Sequence, residues 1–302
     1  VNDSIFYING ERLIQFDPLK FEFNPIPNNM KKSLLTLLIA LLVSACGPSQ
    51  KQETPEGTLP KVEGKEISYS ADTLTMNGYL AFDVNKTGKR PGILVVHEWW
   101  GHNNYARKRA DMLAELGYVA LAVDMFGNGK QAAHPQDAMK FTGEVFANID
   151  GAKARFEAAL NTLKQNENVD VYNIAAIGYC FGGSVVLSMA NAGYDLDAVV
   201  AFHGGVALPI WPENGSLKAA VLVCNGADDP FVQPEQITMF KNKMDSANAN
   251  YQYIAYPGAV HSFTSKEADE NGKKFNMPLA YNAAADSASW AEMKMLFDKS
   301  FK

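Results

Sequence analysis

The ten residues "AAIGYCFGGS" (175–184) constrain the fold more than any other stretch of the chain. An apolar run ending in glycine reads as a buried strand, and the apolar "GGSVVLSMA" that follows reads as a buried helix. Between them, Gly178 and Gly182 stand two positions before and two after Cys180. Small residues at those positions allow a sharp turn that lifts the central side chain clear of the backbone and places it at a helix N-terminus. Such a strand–turn–helix belongs to a parallel or mostly parallel sheet, in which reactive groups gather at the carboxyl ends of the strands.

The surrounding sequence supplies the rest of such a sheet. "KEISYS" and "GYLAFDV" read as an opening antiparallel pair, and "GILVVHE" (92–98), "YVALAVD" (118–124), "DAVVAFHG", "AAVLVCNG" and "YQYIAYPG" as further strands. Helical spacing falls between them at 104–116, at 136–164 with a break near 148–151, and at 234–247. A closing helix carries a core-facing stripe at Trp290, Met293, Phe297 and Phe301. Strands alternating with helices predict an α/β domain over residues 66–302, a mostly parallel sheet covered on both faces.

Three predicted strand ends carry reactive groups: Cys180 in the glycine-flanked turn, the acidic pair of "NGADDPFV", and His261 in "YPGAVHSF". A nucleophile, an acid and a histidine in that chain order form the pattern of acyl transfer on α/β sheets. Each signal alone is weak. An acidic pair is usually a solvated turn, a loop histidine is usually polar surface, and a glycine-rich turn can cradle phosphate. "GYCFGG" nevertheless lacks the Lys-Ser/Thr of a phosphate loop. Their order and placement together carry the reading.

With these motifs the chain resembles the dienelactone hydrolase family over residues 66–302. The resemblance implies the α/β-hydrolase fold and cleavage of a carboxylic ester or lactone. It makes Cys180 the nucleophile, His261 the base and Asp229 the acid, chosen over Asp228 because Val232 follows it in the family's spacing. In "VVHEWWGHN" it selects Glu98 as the glutamate that interacts with the thiol. Backbone N–H groups of Trp99 and Phe181 are the expected oxyanion donors. No cofactor is implied. Zinc is not expected either, because His97 and His102 stand five apart with Gly101 between them, whereas the zincin pattern needs four on a helical face. His97 and His203 stand at strand ends near the site. They, His102 and His134 receive no role beyond hydrogen bonding.

A free thiol titrates near ~8.5. His261, the helix N-terminus and the oxyanion donors favour the thiolate, while a charged Glu98 opposes it. One departure bears on substrate. Where the family holds an arginine four residues after the histidine to bind a carboxylate, this chain has Ser265 beside Lys266, and residues 131–140 contain no arginine. The reaction class is expected to persist, and dienelactone itself as substrate is not.

The N-terminal region differs in kind. "MKKSLLTLLIALLVSAC" joins a basic start to an apolar core and small residues before Cys46, which is secretory-signal architecture and too short for a spanning helix. Its ending resembles the bacterial lipobox. The expectation is a signal peptide at 30–45, lipid attachment at Cys46, a polar tether over 46–65, and an envelope protein held at a membrane by its lipid. Residues 1–29 show no period, and the expectation there is a gene start read too far upstream. A net charge of −6 argues against nucleic-acid partners. Of the three cysteines, Cys224 reads as a buried strand residue, and no disulfide framework is evident. Two rivals remain at this level: a non-catalytic envelope lipoprotein that binds a ligand or partner on the same fold, and a thiol redox role. The first leaves the intact set Cys180, Asp229, His261 and Glu98 without a purpose, and the second lacks a C-x-x-C pair.

Overall fold

A computed structural model describes residues 59–302. The signal-like segment, Cys46, residues 1–29 and most of the expected tether lie outside the described residues. The chain runs β1 (Val62–Ala71), β2 (Leu74–Asp83), β3 (Arg90–Val96), α1 (Asn104–Glu115), β4 (Val119–Val123), α2 (Pro135–Ala147), α3 (Ile149–Lys164) and β5 (Val169–Tyr179). It continues through α4 (Phe181–Asn191), β6 (Ala198–Phe202), β7 (Ala220–Gly226), α5 (Pro234–Ser246), β8 (Tyr251–Tyr256), α6 (Ala268–Phe275) and α7 (Ala283–Ser300).

The strands form one sheet in the order β1-β2-β4-β3-β5-β6-β7-β8. β1 and β2 pair antiparallel and β2 meets β4 antiparallel; every later pairing is parallel. Val62 pairs with Asp83, so β1 takes in residues 62–65 of the stretch read as tether. Polar "VEGK" carries no strand pattern of its own, and pairing with β2 makes it one.

The central strands are buried throughout, which is why they read as continuous apolar runs. Alternate side chains enter two separate cores. Leu94, Val96 and Leu121 pack with Phe156 and Leu160 of α3 and Phe240 of α5, and Ile93, Val95 and Ala122 pack with Leu113 of α1 and Met293 and Phe297 of α7. Each large apolar side chain so buried stabilises the fold by ~1.5–3 kcal/mol. Of the predicted α7 stripe, Met293 and Phe297 are fully buried, while Trp290 and Phe301 pack at its margin. The break in the long helical region falls at Asn148, whose non-helical backbone ends α2 and whose side chain caps α3 by accepting from Gly151 N–H at 2.9 Å.

Helix α6 has no apolar period to announce it. Asp269 and Glu270 in its first turn and Lys273 and Lys274 in its last match the helix dipole, and Asn276, left-handed at φ 51°, turns the chain away.

Candidate active site

Parallel register brings five strand ends to one edge of the sheet. Val96 lies opposite Gly178, Tyr179 opposite Phe202, Phe202 opposite Cys224, and Gly226 opposite Tyr256. Just beyond these ends stand Glu98 and Trp99, Cys180, His203, Asp229 and His261.

Cys180 leaves β5 with φ 52° and ψ −115°, a conformation disfavoured for a residue with a side chain, and α4 begins at the next residue. The turn closes so tightly that a Cβ on Gly178 would lie 2.1 Å from the Gly182 carbonyl oxygen, and one on Gly182 would lie 2.3 Å from that of Val96. Only glycine fits at either position. Phe181 is the first residue of α4, where N–H groups lack helical acceptors.

The sulfur of Cys180 lies 3.1 Å from His261 Nε2, and His261 Nδ1 donates to Asp229 Oδ2 at 2.8 Å. The other oxygen of Asp229 accepts from Phe231 N–H at 2.9 Å, and the carboxylate is sealed from solvent. Asp228 faces outward and accepts from Gly258 N–H. The structure therefore brings together Cys180, His261 and Asp229 and leaves Asp228 apart. Burial alone disfavours charge on His261, but its electrostatic interaction with Cys180 and the hydrogen bond to Asp229 outweigh it and lift the ring to about 10.

Glu98 is buried at the end of the β3 turn, where Ser262 Oγ donates to its Oε1 at 3.1 Å. Among the described residues no hydrogen bond joins it to the sulfur. Instead it borders a polar cavity of about 410 Å³, shared with Gln131, Ser265, Glu267 and Glu270. Burial raises its carboxyl to about 7, against the pull of the His261 charge and the Ser262 hydrogen bond.

A buried network absent from the sequence reading joins the cysteine turn to the histidine loop. Cys180 N–H is shared between the Phe202 carbonyl at 3.0 Å and His203 Nδ1 at 3.1 Å. Burial, then the neighbouring His261 charge, holds His203 neutral. With Nδ1 accepting, its Nε2–H donates to Thr264 Oγ1 at 2.7 Å. The Tyr105 and Thr264 hydroxyls share a hydrogen bond at 2.6 Å, and the Tyr105 oxygen also accepts from Arg109 Nε. Arg109 in turn donates to the Thr264 carbonyl and to Asp286. His203 thus ties Cys180 to a residue three beyond His261. His97 does similar work nearby, accepting from Met125 N–H through Nε2 and donating to the Glu98 carbonyl through Nδ1. His102 is buried with neither ring nitrogen hydrogen-bonded, and His134 packs edge-on against Phe275.

Cys180 and His261 open into a second cavity of about 430 Å³ beside Trp99 and Phe181. Ser265 and Lys266 do not border it: Ser265 donates to Glu267 in the polar cavity, and the Lys266 ammonium lies over the Tyr281 ring. Cys224 sits in β7 with its thiol raised to about 12 by burial, and both described cysteines are free.

The fold agrees with the chain's similarities. A protein from Aquifex pyrophilus, Protein usf, is 29% identical over 216 residues, covering 68% of this chain and 90% of its own. The solved structure of m3DLH superposes with a TM-score of 0.76 at 38% identity, covering 80% of this chain and 99% of its own. That of a dienelactone hydrolase-like promiscuous phosphotriesterase from metagenomic libraries superposes at 0.73 with 34% identity, over 80% and 99%. A profile of the dienelactone hydrolase family matches residues 76–301. The match runs from β2 to the last helix over an α/β sheet of the same fold, and the chain belongs to the dienelactone hydrolase family.

Proposed function

We propose that the protein hydrolyses a carboxylic ester or lactone through a cysteine nucleophile. The observation that carries this reading is the line from Cys180 Sγ through His261 to Asp229, at 3.1 and 2.8 Å, facing a cavity. The sulfur, as thiolate beside the His261 imidazolium, adds to the substrate carbonyl. The N–H groups of Phe181 and Trp99 take the oxyanion. The intermediate collapses with loss of the carbon–oxygen bond, His261 gives its proton to the leaving oxygen, and a thioester on Cys180 remains. Water then adds to the thioester while His261 takes a proton, and the thiolate departs from the released acid. Asp229 fixes the ring tautomer and supports its charge throughout. Glu98, held by Ser262, steadies the imidazolium when ionised.

Sulfur at position 180 favours substrates with stabilised leaving groups. A thiolate leaves a tetrahedral intermediate more readily than an alkoxide, so alkyl esters fall back to free enzyme, whereas enol lactones and aryl esters go forward. The test compares kcat/KM for aryl and alkyl esters of one acid, with mass spectrometry of the trapped enzyme. Aryl esters are expected to lead by roughly 100-fold, with acyl mass on Cys180, and Cys180→Ser is expected to narrow the ratio while lowering the rate. Equal rates on both esters overturn the leaving-group argument. Full turnover by Cys180→Ala overturns the nucleophile.

The basic and apolar pattern ending in Cys46 supports a further proposal, that the protein is exported and lipid-anchored in the cell envelope.

A further inference from the structure

The walls of the cavity above Cys180 are apolar. Helix α2 contributes Met139 and Phe146, the loop after β7 contributes Phe231, and the segment after α6 contributes Met277 and Leu279. Apart from Cys180 and His261, its hydroxyl-bearing lining side chains are Thr142 and Ser184, each already donating within the protein, and the Trp99 side chain adds one neutral indole N–H. Thr142 Oγ1 donates to the Ala138 carbonyl at 2.8 Å, and Ser184 Oγ to that of Gly205 at 2.9 Å. Among the described residues, no lysine, arginine, aspartate or glutamate borders this space. Glu98, Glu267 and Glu270 border the other cavity instead.

A charged substrate would bury its charge here with no partner except the reacting pair, which is strongly unfavourable in an apolar setting. A space of about 430 Å³ suits one small molecule. Met139 and Phe231 stand at the rim, 57% and 46% exposed, and two methionine side chains in the walls let the space adapt to different shapes.

We propose that the substrate of this site is an uncharged ester or lactone whose acyl and alcohol parts are both small and apolar. The proposal rests on the hydrolase reading above. The apolar walls hold the two parts, the oxyanion donors, His261 and the few neutral polar groups of the lining supply the polar contacts, and a carboxylate on either part excludes the molecule.

The test pairs phenyl butanoate with phenyl hydrogen succinate, which share a leaving group and differ in a terminal carboxylate. The uncharged ester is expected to lead in kcat/KM by ~100-fold or more, with KM higher for the anion. Met139→Arg, placing a cation at the exposed rim, is expected to narrow the gap by roughly 5-fold, the worth of a solvent-exposed ion pair. Equal or faster cleavage of the succinate ester by the unmodified protein overturns the proposal. If neither ester is cleaved, the hydrolase reading fails. The substrate class is then decided by binding of the two esters to the Cys180→Ala protein, followed through tryptophan fluorescence. Tighter binding of phenyl butanoate upholds the class, and equal or reversed binding overturns it.

Discussion

Glu98 should make the protein less stable as the solution becomes more alkaline, and replacing it with glutamine should remove that loss. The unfolded chain ionises this carboxyl near 4.5, whereas burial delays ionisation in the folded chain to about 7. Between those values the folded protein holds a proton that the unfolded one has released, so stability falls with rising pH across that window. Each pH unit of separation is worth about 1.4 kcal/mol, which gives a cost of roughly 3 kcal/mol once the pH exceeds 7. Glutamine keeps the volume and can still accept from Ser262 Oγ, so packing and hydrogen bonding change little. Urea unfolding of wild type and Glu98→Gln at pH 4.5 and pH 8 reads the effect directly. Near-equal stability at pH 4.5 and a variant more stable by roughly 2–4 kcal/mol at pH 8 are expected. A gap that does not change with pH, or a wild type that is the more stable at pH 8, would show that Glu98 is not held in a setting that resists its charge.

Two further outcomes are expected. Asp229→Asn should lower kcat by ~10⁴-fold, because an amide cannot fix the His261 tautomer, while Asp228→Asn, at the exposed carboxylate bonded to Gly258, should stay within a few-fold of wild type. Steady-state kinetics of both variants decide it, and equal losses would refute the assignment. Cys46→Ala should lose lipid labelling and accumulate as precursor in cells, and unchanged processing and fractionation would remove the lipid-anchor proposal.

The elements of the sheet were legible because buried parallel strands must be apolar at every position, and "VALAV" and "AVVAF" leave no other reading. Helix α6 was not, since its eight residues are mostly polar and its stability comes from charge placement and the Asn276 turn. The Cys180, Asp229 and His261 positions each lie in a short local motif, and chain order alone relates them. The network through His203 has no such signature. It joins Thr264 to residues 61 and 159 positions away by single hydrogen bonds, and no local pattern encodes contacts of that length. Glu98 shows a different limit: a motif names the residue but not the side of the turn to which its carboxylate points.

The backbone of Cys180 also bears on how the nucleophile can change. Its left-handed conformation is held by close approach at Gly178 and Gly182 and by His203 and Phe202 sharing its N–H, none of which involves the sulfur. A strain of ~1–3 kcal/mol is therefore borne by any side chain with a Cβ at this position, whatever atom lies beyond it. Exchanging sulfur for oxygen leaves that burden untouched. For the proposed nucleophile, a change between sulfur and oxygen therefore carries no difference in this backbone cost.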